Sequence, residues 1–249
     1  MKTIRRWLAL IGMSLAAGAG AAGRVAATTP QHRLGENGWN ERHQKCLERG
    51  RGGGIRLVFL GDSITQGWEG AGQPVWNHYY ARRSPINLGF SGDRTEHVIW
   101  RIGEGGELEG LDPEVVVIML GTNNTGHRMD PAPDVAAGMS AILDALKARL
   151  PRARILLLGI FPRGAKPDDP LRIRNAEINA EYAKQADGER VIYADIGSAF
   201  LDADGTLPPS VMPDLLHLNA EGYRRWAEAM EPHVARLLGD SRVAPAGEK

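Results

Sequence analysis

Short, uninterrupted apolar runs separated by longer helical stretches are the feature that most restricts the fold of this 249-residue chain. A strand that is apolar at every position must be covered on both faces, as in a parallel sheet between two helical layers. Strands are predicted at residues 55–60, 85–88, 115–120, 154–159 and 191–194. Helices are predicted at residues 38–49, 95–102, 134–150, 171–186 and 220–238. This alternation predicts an α/β protein with a three-layer α/β/α sandwich.

Composition limits the partners and the number of domains. The 30 basic and 30 acidic side chains cancel, and no cationic cluster stands out, which argues against nucleic acid as a partner. One domain is predicted over residues 55–239, after a connector and short helix at 22–54 and before a flexible tail at 240–249. Cys46 is the only cysteine and lies in a polar stretch, so neither an internal disulfide nor a thiol nucleophile is expected.

The first residues have the pattern of a secretory signal peptide. Lys2, Arg5 and Arg6 precede an apolar run at residues 7–17, and small residues that fit an A-x-A cleavage site follow. The run is too short to span a membrane, so no stable membrane anchor is expected. Residues 1–21 are therefore predicted to be removed on export to the periplasm or medium. The alternative is an N-terminus that is disordered or lies at an interface.

Polar residues follow the predicted strands, where ligands bind in open α/β sheets. The segments concerned are residues 61–65, 87–93 and 121–124, and a fourth polar set, Asp214 to His217, precedes the last helix. Because the carboxyl ends of parallel strands share one edge of the sheet, these segments are predicted to form one site.

The side chains in this set suit acyl transfer. A serine hydroxyl needs a base, and a histidine oriented by a carboxylate provides one, so Ser63, His217 and Asp214 form a candidate triad. The N–H groups of Ser63 and Gly92 and the side-chain amide of Asn123 are candidate oxyanion donors. Thr65 stands where a nucleophile elbow would need glycine, so Ser63 is expected at the start of a helix. This chemistry requires no cofactor.

Four blocks in this order, Gly61-Asp62-Ser63, Gly92, Gly121-x-Asn123 and Asp214-x-x-His217, resemble those of the SGNH (GDSL) hydrolase family. Residues 87–101, 121–124 and 158–164 are most similar to the catalytic subunits of platelet-activating-factor acetylhydrolase IB, one branch of that family. The resemblance implies a flavodoxin-like sandwich of about five parallel strands and the same triad and oxyanion residues. It also makes a homodimer a candidate assembly. Ser91 and extra residues around 68–72 depart from the mammalian pattern.

Other polar and aromatic residues near these blocks have two interpretations each. Asp62, Trp68, Asn124 and His127 are candidate substrate contacts, although ordinary packing would explain Trp68 and an exposed loop position would explain His127. Asp93 is predicted to cap the helix that starts at Thr95. No metal is expected, because Asp214 and His217 lack the further ligands that zinc requires.

The sequence predicts a serine esterase that removes short acyl groups, acetyl above all, from oxygen esters. Acetylated carbohydrate is the expected substrate of an exported enzyme. The enzymatic alternative is a lysophospholipase or thioesterase. The non-enzymatic alternative is a carbohydrate- or protein-binding module on the same fold.

Overall fold

Five parallel strands form one sheet in the structure, a computed structural model that describes residues 25–36 and 38–245. The strands are β1 (Leu57–Gly61), β2 (Pro85–Gly89), β3 (Val115–Met119), β4 (Arg154–Leu158) and β5 (Val191–Ala194). Their order across the sheet is β2-β1-β3-β4-β5, which is the flavodoxin-like order. The predicted strands are confirmed to within two residues at each end. The predicted signal peptide lies outside the described residues.

Eight α-helices lie among the described residues. They are α1 (Trp39–Arg51), α2 (Ser63–Gln66), α3 (Gln73–Tyr79), α4 (Thr95–Ile102), α5 (Thr122–Arg128), α6 (Ala132–Arg149), α7 (Pro170–Ala183) and α8 (Ala220–Leu238). The five predicted helices correspond to α1, α4, α6, α7 and α8. The short helices α3 and α5 were not predicted. None of the helices in the described part of the chain is long and apolar enough to cross a membrane.

The alternation of side chains along each strand separates the interior into two apolar clusters. Val58 and Leu60 of β1 pack with α1, α4, α6 and α7, whereas Leu57 and Phe59 pack with α3 and α8. All five residues of β1 are buried, as a strand covered on both faces requires. The predicted three-layer α/β/α sandwich is therefore confirmed.

The two ends of the described chain are attached to this sandwich. In the predicted connector, Ala27 O accepts a hydrogen bond from Thr95 Oγ1 at 2.8 Å. At the other end, Ala244 O accepts a hydrogen bond from His78 Nε2 at 2.8 Å, and Val243 N donates to Glu231 at 2.8 Å. Hydrogen bonds thus join two residues of the predicted flexible tail to the domain, and the flexibility of that tail stays a prediction.

Candidate active site

The carboxyl ends of β1, β2 and β3 bring three of the predicted segments to one edge of the sheet. Ser63 follows β1, Gly92 follows β2, and Asn123 follows β3. The order β2-β1-β3 makes β1 and β3 the two strands from which the chain continues in opposite directions across the sheet. A crevice at such a position is the usual ligand site of an open α/β sheet.

Ser63 is the first residue of α2, as predicted. The Asp62 side chain accepts a hydrogen bond from Ile64 N at 3.0 Å and so caps this four-residue helix. Tyr223 Oη on α8 donates to Ile64 O at 2.6 Å, and Asn87 Nδ2 on β2 donates to Thr65 O at 3.0 Å. Contacts from the cap, from α8 and from β2 therefore fix the start of α2 and with it the Ser63 hydroxyl.

The three residues of the predicted triad are in hydrogen-bond contact. Ser63 Oγ lies 2.9 Å from His217 Nε2, and His217 Nδ1 lies 2.6 Å from Asp214 Oδ2. An ionised carboxylate can only accept, so Nδ1 carries the proton of a neutral imidazole, and Nε2 accepts from the serine hydroxyl. The arrangement therefore holds the tautomer in which His217 can take the Ser63 proton.

Asp214 is held by its own loop. Its Oδ1 atom accepts hydrogen bonds from Leu216 N at 3.1 Å and His217 N at 2.7 Å, while Oδ2 faces the imidazole. Partial burial acts to raise the pKa of this carboxyl, but the hydrogen bonds from His217 outweigh burial and leave the pKa below its ordinary value. The Asp214 side chain is 55% exposed, so it acts in a more solvated setting than the buried carboxylates of many serine hydrolases.

Gly92 forms the backbone turn after β2. Its φ of +75° is a left-handed conformation that favours glycine. The neighbouring N–H groups are used within the protein, since Ser91 N donates to Gln66 Oε1 at 2.7 Å and Asp93 N donates to Phe90 O at 3.1 Å. The Gly92 N–H has no acceptor among the described residues, which leaves this donor available to a ligand.

Asn123 lies in the first turn of α5 and is 7% exposed. Its Nδ2 atom donates to Asp93 O at 3.0 Å, so one of its two amide hydrogens ties α5 to the turn that contains Gly92. The other amide hydrogen remains for a ligand. The two predicted oxyanion donors that lie outside α2 are thus connected to each other.

Asp93 does not cap α4, contrary to the prediction. Its carboxylate is fully buried and accepts hydrogen bonds from Trp39 Nε1 at 2.9 Å and Arg101 Nε at 2.8 Å. The Asn124 side chain takes the capping role instead, because its Oδ1 atom accepts from Thr95 N at 3.1 Å. Asn124 is fully buried in this role, and its contact with substrate stays a prediction.

The other predicted substrate contacts divide by exposure. Trp68 is 1% exposed and packs against Tyr223 and Trp226, so of its two interpretations the structure places it in the core. Asp62 is fully buried directly beneath Ser63, and burial raises the pKa of its carboxyl to about 7. His127 is exposed on α5, and its contact with substrate stays a prediction.

Two residues that the sequence did not indicate hold the Gly92 turn. Arg33 Nη1 donates to Ser91 O at 2.7 Å and to Asp93 Oδ1 at 2.8 Å, across 58 and 60 residues of sequence. Gln66 on α2 accepts a hydrogen bond from Ser91 N, and it lies three residues after Ser63 on the same side of that helix. The three-residue spacing from Ser63 could have indicated that Gln66 lies at the site. Nothing in the sequence of the connector set Arg33 apart from its other polar residues.

The assembled site has the parts of an acyl-transfer catalyst. It combines a hydroxyl bonded to an imidazole, a carboxylate on the other ring nitrogen, and two N–H donors, on Gly92 and Asn123, at the same edge of the sheet. Among residues 25–36 and 38–245 there is no cluster of three or more side chains arranged to hold a metal ion. The chemistry available to these residues is nucleophilic attack on a carbonyl carbon.

Comparison with known proteins gives a family match. The model of the GDSL-like lipase/acylhydrolase family matches residues 59–225. The alpha1 subunit of platelet-activating factor acetylhydrolase IB from Homo sapiens is 34% identical over 216 residues, which are 86% of this chain and 90% of that subunit. The alpha2 subunit from Mus musculus is 33% identical over 211 residues, which are 83% of this chain and 88% of that subunit.

Solved structures share the fold at lower identity. An acetylxylan esterase from Geobacillus stearothermophilus superimposes with a TM-score of 0.58 at 20% identity and covers 79% of this chain and 100% of its own. A GDSL-like lipase from Bacteroides thetaiotaomicron superimposes with a TM-score of 0.60 at 20% identity, covering 78% of this chain and 97% of its own. At 20% identity these two matches show only that the fold is shared.

Proposed function

The chain belongs to the GDSL-like lipase/acylhydrolase family and is a carboxylic ester hydrolase, and we propose that it removes acetyl groups from oxygen esters of carbohydrate through an acyl-enzyme on Ser63. The observation that carries the proposal is the continuous pair of contacts from Ser63 Oγ through the His217 ring to Asp214. A hydroxyl, a base and an orienting carboxylate in this geometry suit attack on an ester carbonyl.

The reaction has two halves. In the first, His217 Nε2 takes the Ser63 proton while Oγ bonds to the acyl carbon, and the carbonyl electron pair moves to oxygen. Collapse of this intermediate expels the alcohol, which receives the proton from Nε2. In the second half, His217 takes a proton from water, the hydroxide oxygen bonds to the acyl carbon, and Ser63 leaves with the proton. The products are the free alcohol and the carboxylic acid.

The negative charge on the intermediate is placed against fixed donors. The Gly92 N–H, the second Asn123 amide hydrogen and the Ser63 N–H are the proposed donors, each of which in comparable sites contributes on the order of 3–4 kcal/mol. Arg33 and Gln66 hold the Gly92 turn before substrate arrives, so little reorganisation is required.

The walls beside Ser63 favour a short acyl group. An open cavity of about 410 Å³ lies there, and its lining residues are Ser63, Gln66, Gly67, Glu69, Gly70 and Ser91. None of them carries an aliphatic or aromatic side chain. Each buried methylene of a long acyl chain needs apolar contact to gain its ~0.8 kcal/mol, and these residues supply less of it than aliphatic or aromatic side chains would. The mammalian relatives are named acetylhydrolases, and one structural neighbour is an acetylxylan esterase.

The compartment and the assembly are parts of the same proposal. The signal-peptide pattern of residues 1–21 supports export, after which acetylated polysaccharide outside the cytoplasm is the accessible substrate. N-terminal sequencing of the protein from culture medium or periplasm checks this, and a chain that starts at Met1 in the cytoplasm contradicts it. The proposed homodimer is checked by sedimentation of the purified chain.

The test compares ester substrates of increasing acyl length. The p-nitrophenyl esters of acetate, butyrate and octanoate and an O-acetylated xylo-oligosaccharide are given to the chain without residues 1–21. We expect the highest kcat/KM on acetate and release of acetate from the oligosaccharide. A preference for octanoate would favour the lysophospholipase or thioesterase alternative. A folded protein that cleaves none of them would favour the binding-module alternative.

A further inference from the structure

Arg163 follows β4 and lies beside the site without a role in the reaction derived above. Its Nη1 atom donates to Thr122 O at 3.0 Å and Thr122 Oγ1 at 3.1 Å. Thr122 is adjacent to the proposed oxyanion donor Asn123, so the guanidinium contacts the segment that carries this donor. The Nε and Nη2 edge of the same guanidinium has no acceptor among the described residues.

Contacts hold both the guanidinium and the backbone of Arg163. It lies against α5 at Gly126, where an added Cβ would come within 2.6 Å of Nη1. The Arg163 carbonyl accepts a hydrogen bond from Arg172 Nε at 3.0 Å. The next residue, Gly164, donates its N–H to Leu215 O at 2.9 Å, inside the loop that carries Asp214 and His217. The side chain is thus preorganised beside the triad loop.

Arg163 also differs in its charge pairing from the arginines around the Gly92 turn and α5. The neighbouring arginines are neutralised by carboxylates: Arg33 pairs with Asp93, Arg94 with Glu96, and Arg128 with Glu96 and Asp130. No carboxylate in the described part of the chain comes within ion-pair distance of Arg163. Burial lowers the pKa of its guanidinium, although the charges of Asp169, Asp62 and Asp214 act in the opposite direction. A partly buried guanidinium with free N–H groups can donate them to an anion.

The leaving alcohol is on the same side as Arg163. His217 Nε2 must reach the leaving oxygen to protonate it, so the alcohol lies over the His217 loop. The hydrogen bond from Gly164 N to Leu215 O joins the Arg163 segment to that loop. The strand order places Ser91 and the open cavity on the β2 side of Ser63, and Arg163 on the β4 side. Arg163 therefore faces the alcohol part of the ester.

We infer that the free edge of Arg163 binds a carboxylate on the alcohol part of the substrate, so that the preferred substrate is an acetyl ester of an acidic sugar. A guanidinium edge with two parallel N–H groups matches a carboxylate in two hydrogen bonds, which a lysine could not reproduce. This inference rests on the proposed function, the removal of acetyl groups from carbohydrate, and further specifies that the sugar is negatively charged.

The experiment measures acetate release from two matched substrates. One is an O-acetylated methyl glucuronoside, and the other is the corresponding O-acetylated methyl glucoside, which lacks only the carboxylate. We expect kcat/KM to be about 10- to 100-fold higher for the glucuronoside, the range of a charge-assisted bidentate contact. Arg163→Gln should bring this ratio close to 1, and Arg163→Lys should restore part of it.

The matched control is Arg174→Gln on α7, since Arg174 is a partly exposed arginine that pairs with Glu177. It should leave the ratio unchanged. If Arg163→Gln does not fold, the wild-type protein still provides a test, because added salt should raise KM for the glucuronoside and not for the glucoside.

Three outcomes would overturn the inference. They are equal wild-type activity on both sugars, an equal loss on both sugars in Arg163→Gln, and an Arg163-dependent preference for an acetylated sugar phosphate in place of the glucuronoside. Hydrolysis of p-nitrophenyl acetate distinguishes a failure of the inference about Arg163 from a failure of the proposed function. If that ester and the glucoside are cleaved and the ratio is 1, only the role of Arg163 fails. If no acetyl ester is cleaved, the proposed function itself fails.

Discussion

Replacement of Asp214 by asparagine tests how an exposed carboxylate contributes to the triad. Oδ1 accepts two backbone N–H groups, from Leu216 and His217, so the asparagine carbonyl oxygen should take that place. Its NH₂ group would then face His217 Nδ1 and favour the tautomer with the proton on Nε2. That tautomer cannot accept the Ser63 proton, so the turnover should fall.

The magnitude follows from the exposure of the pair. Two charges about 4 Å apart attract by about 1 kcal/mol in water and about 4 kcal/mol near a protein surface. The Asp214 side chain is 55% exposed and lies between these limits. At one factor of ten per 1.36 kcal/mol, and with the tautomer change added, we expect kcat to fall by about 100- to 1000-fold. This is less than the roughly 10⁴-fold loss known for a buried triad carboxylate.

The assay is the hydrolysis of p-nitrophenyl acetate across pH, with Asp204→Asn as the matched control. Asp204 Oδ1 also accepts a backbone N–H two residues ahead, from Thr206 at 2.9 Å, but it lies outside the triad, so kcat should not change. In urea unfolding, the contribution of Asp214 to the free energy of unfolding should be fully present above the ordinary carboxyl pKa and be lost as pH falls through the lowered value. A kcat for Asp214→Asn within threefold of wild type would refute the reasoning.

Three further predictions concern the turn after β2, the buried acid and the buried ion pair. Gly92→Ala places a side chain at a φ of +75° and should lower kcat by about 100-fold, because the strained turn displaces an oxyanion donor. The control Gly188→Ala has a φ of +77° and no neighbour within 4 Å, so it should leave kcat unchanged in the same esterase assay. Burial raises the pKa of Asp62 to about 7, so the folded protein keeps this proton to a higher pH than the unfolded chain does, and its free energy of unfolding should decrease as pH rises from the ordinary carboxyl pKa to about 7. Asp62→Asn should remove that decrease in urea unfolding. The same dependence of the free energy of unfolding on pH in both proteins would contradict the prediction. Arg101→Met removes the fully buried guanidinium that pairs with both Asp93 and Glu107, and leaves only Arg33 beside Asp93 and His43 beside Glu107. It should lower the free energy of unfolding in urea by about 3–5 kcal/mol, whereas a loss below about 1 kcal/mol would show that this guanidinium is not needed.

The sheet was predictable because its signal is local. Four apolar runs bounded by glycine or polar residues, and the shorter segment 85–88, each have the length of a strand. Burial on both faces leaves few alternatives to a parallel sheet. The triad was predictable because chemistry restricts it to few residue types, and the strand ends bring those types together. Helix α5 was not predictable in this way, since Thr122–Arg128 has no apolar face and contains Gly126.

The misassigned residues depended on contacts distant in sequence. Asp93 was predicted to be a helix cap because it lies just before Thr95. In the structure its carboxylate is buried and accepts hydrogen bonds from Trp39 and Arg101. Trp68 had two interpretations in the sequence, a substrate contact or ordinary packing, and its burial against Trp226 on α8 agrees with packing. Such contacts appear only when the elements are assembled, so no window of sequence contains them.

The central claim, that Ser63 is the nucleophile, is tested most directly by covalent labelling. A serine-directed fluorophosphonate is incubated with the wild type, Ser63→Ala and His217→Gln, and the modified peptide is identified by mass spectrometry. The account predicts one label on Ser63 in the wild type, none in Ser63→Ala, and much slower labelling in His217→Gln, since the base that activates the hydroxyl is lost. Esterase activity that survives in Ser63→Ala, with the label on another residue, would contradict it.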